Sequence, residues 1–422
     1  MTRLYLNCCK MILISCLGFF GLATASFSNE VTISHYFSDE FGKENMGKVF
    51  SRFEAATGFQ MKESPVGHED FKTDILVRGA SDSLPDVFSY WAGARVQFVV
   101  DSGDLSPIDG MWVSNGLDDV VAKAVADSAT LYNGNRYLIP MQYHYSGMFY
   151  NKKVMADAGV TEMPTDWEGF IALCEKLKGM GIAPIALGSK FRWPAQFWFD
   201  YLILNTAGPD VRAAVMDGSA AYDSDEVKAA VGIWMDMVNN GYFAANANAD
   251  TWTDASDKVA NGEAAMTLMG TWITGYWNGN GLTPGEDYDF FPFPTINPDA
   301  PVSVVGPIDG LVVSANVQNK EGAEAFLSFF VSDVDTQIEW TNAVGAVSAN
   351  VNVDPSVYND LIQRVISTVA GASNFAFNYD LATPPPVAEV GLSMFQELME
   401  SPNDYEDILS RAQGSAQSAF EQ

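Results

Sequence analysis

The chain has 422 residues, 48% of them hydrophobic and 13% aromatic, with 23 basic against 53 acidic residues for a net charge of -30. A surface this acidic repels nucleic acid and anionic lipid, and three histidines without a Cys-His cluster argue against a zinc site. Three of the four cysteines lie in the leader, so only Cys174 is left, no internal disulfide can form, and stability rests on a core with length enough for two domains.

Arg3 and Lys10 give a basic start, Met11 to Leu22 an apolar run and Ala23-Thr24-Ala25 a small-residue cleavage site. Residues 1–25 therefore read as a secretory signal peptide. Leu13-Ile14-Ser15-Cys16 also reads as a lipoprotein box, but Cys16 sits inside the apolar run rather than after it. Val31 to Phe37 alternates like a first strand, Asn45 to Thr57 has helical spacing up to Gly58, and Phe59 to Ser64 reads as a second strand. A helix over Phe71 to Arg78 and a short strand over Asp86 to Phe88 follow. Alternation of this kind predicts an α/β sheet with mostly parallel strands.

Asn133 to Trp167 contains two apolar-aromatic runs broken by Pro140, and reads as a chain crossing between domains. Pro164 to Met180 is a helix with Thr165 as its cap, Ala183 to Leu187 a strand, and Trp193 to Thr206 an apolar, aromatic helix. Cys174 falls on the apolar stripe of its helix, as a buried, inert thiol would. Ser224 to Asn239 and Asp254 to Gly262 are helices, Ala264 to Met269 is a strand, and Thr271 to Trp277 opens another helix. After a Pro- and Val-rich extended stretch from Phe291, a helix starts near Lys320; Thr383-Pro384-Pro385-Pro386 reads as a rigid surface turn.

Four motifs carry a resemblance. They are Leu84-Pro85-Asp86-Val87, Tyr150-Asn151-Lys152, Asn261-Gly262-Glu263-Ala264-Ala265-Met266 with Gly270-Thr271-Trp272, and Asn319-Lys320-Glu321 ahead of Ala325-Phe326-Leu327. In this order and spacing the chain resembles the extracellular (periplasmic) solute-binding proteins of sugar ABC transporters, family 1, the group that includes maltose-binding protein. The resemblance implies a two-lobe periplasmic-binding-protein fold (type II-like) of the α/β class, with hinge strands crossing near Pro140, Gly306 and Ala346. The N-terminal lobe would comprise 26–139 and 308–346, and the C-terminal lobe 140–307 and 347–422. It also implies a monomer without a cofactor that closes on a carbohydrate and docks on a membrane permease.

Ligands of open α/β sheets bind beyond the carboxyl ends of strands. That rule nominates Tyr36 and Asp39 after the first strand, Ser89, Tyr90, Trp91 and Arg95 after the third, and Gln142 and His144 after Pro140. Aromatic faces suit the C–H faces of a pyranose, and carboxylates, amides and guanidinium forks suit its hydroxyls. The resemblance adds a stacking Trp272, a second at Trp91 and an aromatic contact near the helix start that carries Trp193, Gln196 and Trp198; Asp309, in Gly306-Pro307-Ile308-Asp309-Gly310, either faces the cleft or caps a turn, and Trp252 and Asn342 are weaker candidates. Ala94 stands where family members often carry an acid beside Arg95, which implies a different hydrogen-bond pattern. No catalytic residue is nominated, because no Gly-x-Ser-x-Gly elbow, His-Glu-x-x-His helix or phosphate loop is present. Three readings stand: a receptor for a sugar or oligosaccharide, a secreted carbohydrate-active enzyme, and a same-fold receptor for a polyol or, through Arg95, an anionic sugar derivative.

Overall fold

The structure, a computed structural model, describes residues 29–421; the signal-peptide expectation lies outside the described residues. Its main strands, in chain order, are β1 (Glu30–His35), β2 (Gln60–Pro65), β3 (Val87–Trp91), β4 (Leu138–Tyr143), β5 (Ser146–Asn151) and β6 (Ala183–Ile185). They continue with β7 (Ala264–Gly270), β8 (Tyr288–Phe291), β9 (Ser303–Val305), β10 (Ile308–Val313) and β11 (Asn374–Ala376). Two sheets organise two lobes: β2-β1-β3-β10-β4 in the first and β8-β5-β7-β6 in the second, with β9 and β11 paired beside the second.

Strand direction corrects one expectation. β1 pairs in parallel with β2 and β3, but β10 runs antiparallel to both β3 and β4. In the second sheet only β6 and β7 are parallel. The sheets are mixed because β10 returns from an excursion through the second lobe and inserts between β3 and β4 from the opposite direction. Reading neighbouring strands and helices in sequence cannot reveal such an inserted strand. Period-2 alternation on β10 sends Leu311 and Val313 to one core cluster and Ile308 and Val312 to another, so both faces of the first sheet are covered. The second lobe has a single large aromatic core.

Pro140 does not end its strand. β4 is an edge strand, and its pairing with β10 shifts register between Asp309 and Gly310, opposite Pro140. Edges and bulges are where a sheet tolerates a missing N–H. The chain stays in the first sheet through Tyr143 and joins the second at Ser146. Gly306 passes the same place between β9 and β10, where a Cβ would lie 2.0 Å from the His144 carbonyl oxygen, so a side chain would push the two crossings apart.

Several local readings shift for identifiable reasons. The first helix spans Glu40–Thr57, starting earlier than its apolar spacing because Asp39 caps it; it ends at Gly58 in the left-handed region. The Trp167–Gly179 helix is capped by Asp166, not Thr165. Thr383 is buried, and Pro385 opens the Pro385–Glu400 helix, so this segment is a packed helix start rather than a surface turn. Cys174 is buried, and burial pushes its thiol up to about 12. Asn151 caps the Lys152–Asp157 helix and donates to the Val259 carbonyl at 2.8 Å, which makes Tyr150-Asn151-Lys152 scaffold.

Candidate functional site

A cavity of about 660 Å³ lies between the two lobes, with Phe, Tyr and Trp side chains from both lobes in its lining. On the first lobe, Tyr36 leaves β1 and stacks on Trp91, the last residue of β3, with ring centroids 4.4 Å apart and planes 13° from parallel. His68 meets the Trp91 ring edge-on at 5.3 Å, and the ammonium of Lys72 lies 5.9 Å from the same ring. Asp39 reaches the wall while one of its oxygens accepts the Gly42 N–H at 2.7 Å, capping the first helix.

Asp309 is the register partner of both Trp91 and Gln142 at the base of the cavity. It accepts from Gln142 Nε2 at 2.8 Å, and His144 Nε2 lies 3.3 Å from it. Gln142 is fixed in turn by Trp340 Nε1, which donates to its Oε1 at 2.8 Å, and His144 Nδ1 lies 2.8 Å from the Thr271 hydroxyl. Burial, reinforced by the nearby Asp309 carboxylate, holds the Tyr36 hydroxyl well above the usual phenol range.

On the second lobe, Trp272 opens the Trp272–Gly279 helix, with Trp193 at 5.9 Å and His144 edge-on at 5.2 Å. Its ring folds back over Gly270, where a Cβ would lie 1.9 Å from a ring atom. Gly270→Ala is therefore expected to swing Trp272 away and weaken ligand binding about tenfold. Calorimetry checks this, and unchanged affinity would show that the ring tolerates the displacement.

Polar contacts join the lobes along one flank. Trp193 Nε1 donates to Glu69 Oε1 at 2.9 Å. Asp380 Oδ2 lies 3.5 Å from Lys72 Nζ and 3.7 Å from Arg95 Nη2, and Arg95 Nε donates to the Asp380 carbonyl at 3.1 Å. The Asp380 segment is held from the second lobe: Gln196 Oε1 accepts the Asp380 N–H at 2.8 Å, and Asp200 accepts the Tyr379 N–H at 2.9 Å. Leu381, next in the chain, packs into a first-lobe cluster.

Glu69 makes this flank pH-sensitive. Burial works against its charged form, but His68, Lys72 and the Trp193 indole outweigh it and hold the carboxyl at about 2. A depressed carboxyl pKa contributes stability that is complete above the unfolded value, about 4.5, and is lost as pH falls toward 2. The melting temperature should therefore exceed that of Glu69→Gln above pH 4.5, with the gap closing below it; a gap independent of pH would refute the assignment.

Of the nominated residues, Tyr36, Asp39, Trp91 and Asp309 line the cavity from the first lobe, and His144, Trp193, Gln196 and Trp272 complete it with Trp252. Ser89, Tyr90, Arg95, Gln142 and Trp198 do not line it. β3 runs on to Trp91, so Ser89 and Tyr90 are buried in a central strand rather than in a loop. Arg95 is buried and spent on Asp380, and Gln142 stands behind Asp309. Trp198 is packed in the second core, 5.3 Å from Phe243. Asn342 is exposed and donates to the Ile338 carbonyl of its own helix. The lining also includes His68, Lys72, Phe41, Tyr276, Asn378 and Asp380, which were not nominated. His68 and Lys72 follow β2, so the carboxyl-end rule applied to that strand also finds them. Asn378 and Asp380 follow the three-residue β11, which has no sequence signature.

Residues 38–337 match the family model described as bacterial extracellular solute-binding protein. An uncharacterized ABC transporter extracellular-binding protein of Pyrococcus horikoshii is 25% identical over 349 residues, which is 81% of this chain and 77% of that protein. A probable sugar-binding periplasmic protein of Mesorhizobium japonicum is 27% identical over 278 residues, covering 64% of this chain and 65% of that one. The solved structure of the bacterial solute receptor AcbH, described as having an exclusive preference for β-D-galactopyranose, superimposes with a TM-score of 0.86. It is 24% identical and covers 93% of this chain and 99% of its own, a likeness of fold.

Proposed function

The chain belongs to the family of bacterial extracellular solute-binding proteins, and from that premise we propose that it captures a sugar or short oligosaccharide between its lobes and delivers it to an ABC transporter permease. The observation that carries this reading is the cavity itself: aromatic faces from both lobes around a rim of carboxylates and amides. Trp272 and Trp91 are the stacking platforms, Tyr36, Asp39, His144, Gln196 and Asp309 the hydroxyl contacts, and Trp193 the wall between them. The family premise and the probable sugar-binding relative point the same way.

We place the lobe crossings at 144–145, at 306–307 and between Asn350 and Val353. Supporting this, β4 ends at Tyr143, Asn350 still donates to the first-lobe Val331 carbonyl, and Val353 packs in the second core. The lobes rotate there, and the closed form of a monomer is the one the permease recognises. Residues 1–25 are the cleaved leader of an exported protein.

The enzyme reading needs two carboxyl groups facing a scissile bond. Asp309 is tied to Gln142 and His144, and Asp380 to Lys72 and Arg95, which favours holding a ligand over cleaving it. A thermal-shift screen over neutral sugars, acidic sugars, polyols and amines tests the reading, with incubation of labelled oligosaccharides beside it. Stabilisation by a sugar without product supports the receptor; turnover, or stabilisation only by amines, would replace it.

A further inference from the structure

The charged groups on the cavity wall are unevenly divided between the two signs. Three carboxylates line it, those of Asp39, Asp309 and Asp380, against a single lysine, Lys72. That ammonium is already shared between Asp380 at 3.5 Å and Glu69 at 3.8 Å. Arg95, the one nearby guanidinium nominated for an anionic ligand, is 2% exposed and committed to Asp380. An acidic ligand would meet carboxylates with no free counter-charge, in a chain whose net charge is -30.

One further atom beside the cavity sharpens this. Asn378 Oδ1 is buried without a hydrogen-bond partner among the described residues, and Asn378 is one of the residues lining the cavity; the Tyr36 hydroxyl, equally buried, faces the Asp309 carboxylate. Asn378 is 6% exposed, and its amide orientation is set because Nδ2 donates to Asp380 Oδ1 at 2.6 Å. Its Oδ1 can therefore only accept. A buried acceptor left dry is costly, so a donor on the ligand completes this part of the site.

We propose that Asn378 is a specificity-determining anchor that accepts a hydrogen bond from a ligand hydroxyl, and that the cavity takes uncharged, hydroxyl-rich sugars and excludes uronic acids and sugar phosphates. This rests on the sugar-receptor reading and narrows its ligand class. Each ligand hydroxyl can donate to Asn378 Oδ1 or to a carboxylate, whereas a ligand carboxylate or phosphate offers only more acceptors.

The experiment is calorimetry on the full exported chain with neutral sugars, their matching uronic acids, 6-phosphates and single deoxy derivatives. The neutral sugar that binds should do so at least about 10- to 100-fold more tightly than its uronic acid. Asn378→Leu should lose a similar factor for that sugar. In addition, one deoxy sugar that binds poorly to the natural protein should bind Asn378→Leu as well as the parent sugar does, a loss of discrimination that misfolding would not produce. Equal or tighter binding of the uronic acid or phosphate overturns the exclusion. Full retention of affinity and discrimination by Asn378→Leu overturns the anchor. If no sugar of the panel binds, the receptor reading fails and this inference falls with it.

Discussion

Trp272→Ala is expected to weaken sugar binding roughly 30- to 150-fold, corresponding to about 2–3 kcal/mol for the buried stacking face. The ring is half-buried, braced by Trp193 and the edge of His144, and anchored by its fold over Gly270. It is therefore rigid before the ligand arrives, and little ordering entropy is lost on stacking. Tyr36 and Trp91 spend one face of each ring on their mutual stack, which leaves Trp272 as the freer platform. Trp272→Phe should keep most of the affinity. Full affinity in Trp272→Ala, measured by calorimetry, would remove the ring from the site.

Asp380→Ala is expected to cost a comparable or larger factor, about 100-fold, through closure. In this structure Asp380 and Arg95 are 3% and 2% exposed, and Lys72 joins them across the lobes. Removing the carboxylate leaves a buried guanidinium without its counter-charge, a change that costs about 3–5 kcal/mol when a buried pair is broken. With the lobes apart, water hydrates Arg95 and the penalty is relieved, so most of it falls on the closed state and appears as lost affinity. The effects of Lys72→Met and Asp380→Asn should be less than additive, because both remove the same contact. Solution scattering should show a larger mean radius for Asp380→Ala in the presence of sugar. Unchanged affinity and radius would show that the lobes close without this contact.

Much of the fold was legible in the sequence, because strand alternation, helix spacing and the four motifs agree with one another. The larger misreadings share a physical cause: they occur where distant segments meet. Pro140 looks like a break until β10, more than 160 residues later, pairs beside it with a bulge. Ser89 and Tyr90 look like loop residues because the strand that covers them comes from Ile308–Val313. Arg95 reads as a free fork because its partner, Asp380, is 285 residues away. The aromatic half of the candidate site was legible, since Trp91 ends β3 and Trp272 follows β7 at a strand-to-helix turn. The polar half was not. His68 and Lys72 were missed by leaving β2 out of the carboxyl-end rule, and Asn378 and Asp380 because β11 is three residues long.

The most direct test of the central claim is a calorimetric titration of the purified chain with the neutral sugar that stabilises it most, followed by chromatography of the same solution. The expected result is saturable one-to-one binding, closure of the lobes on scattering, and sugar recovered unchanged. Cleaved or modified sugar, or the absence of saturable binding by any carbohydrate, would contradict it.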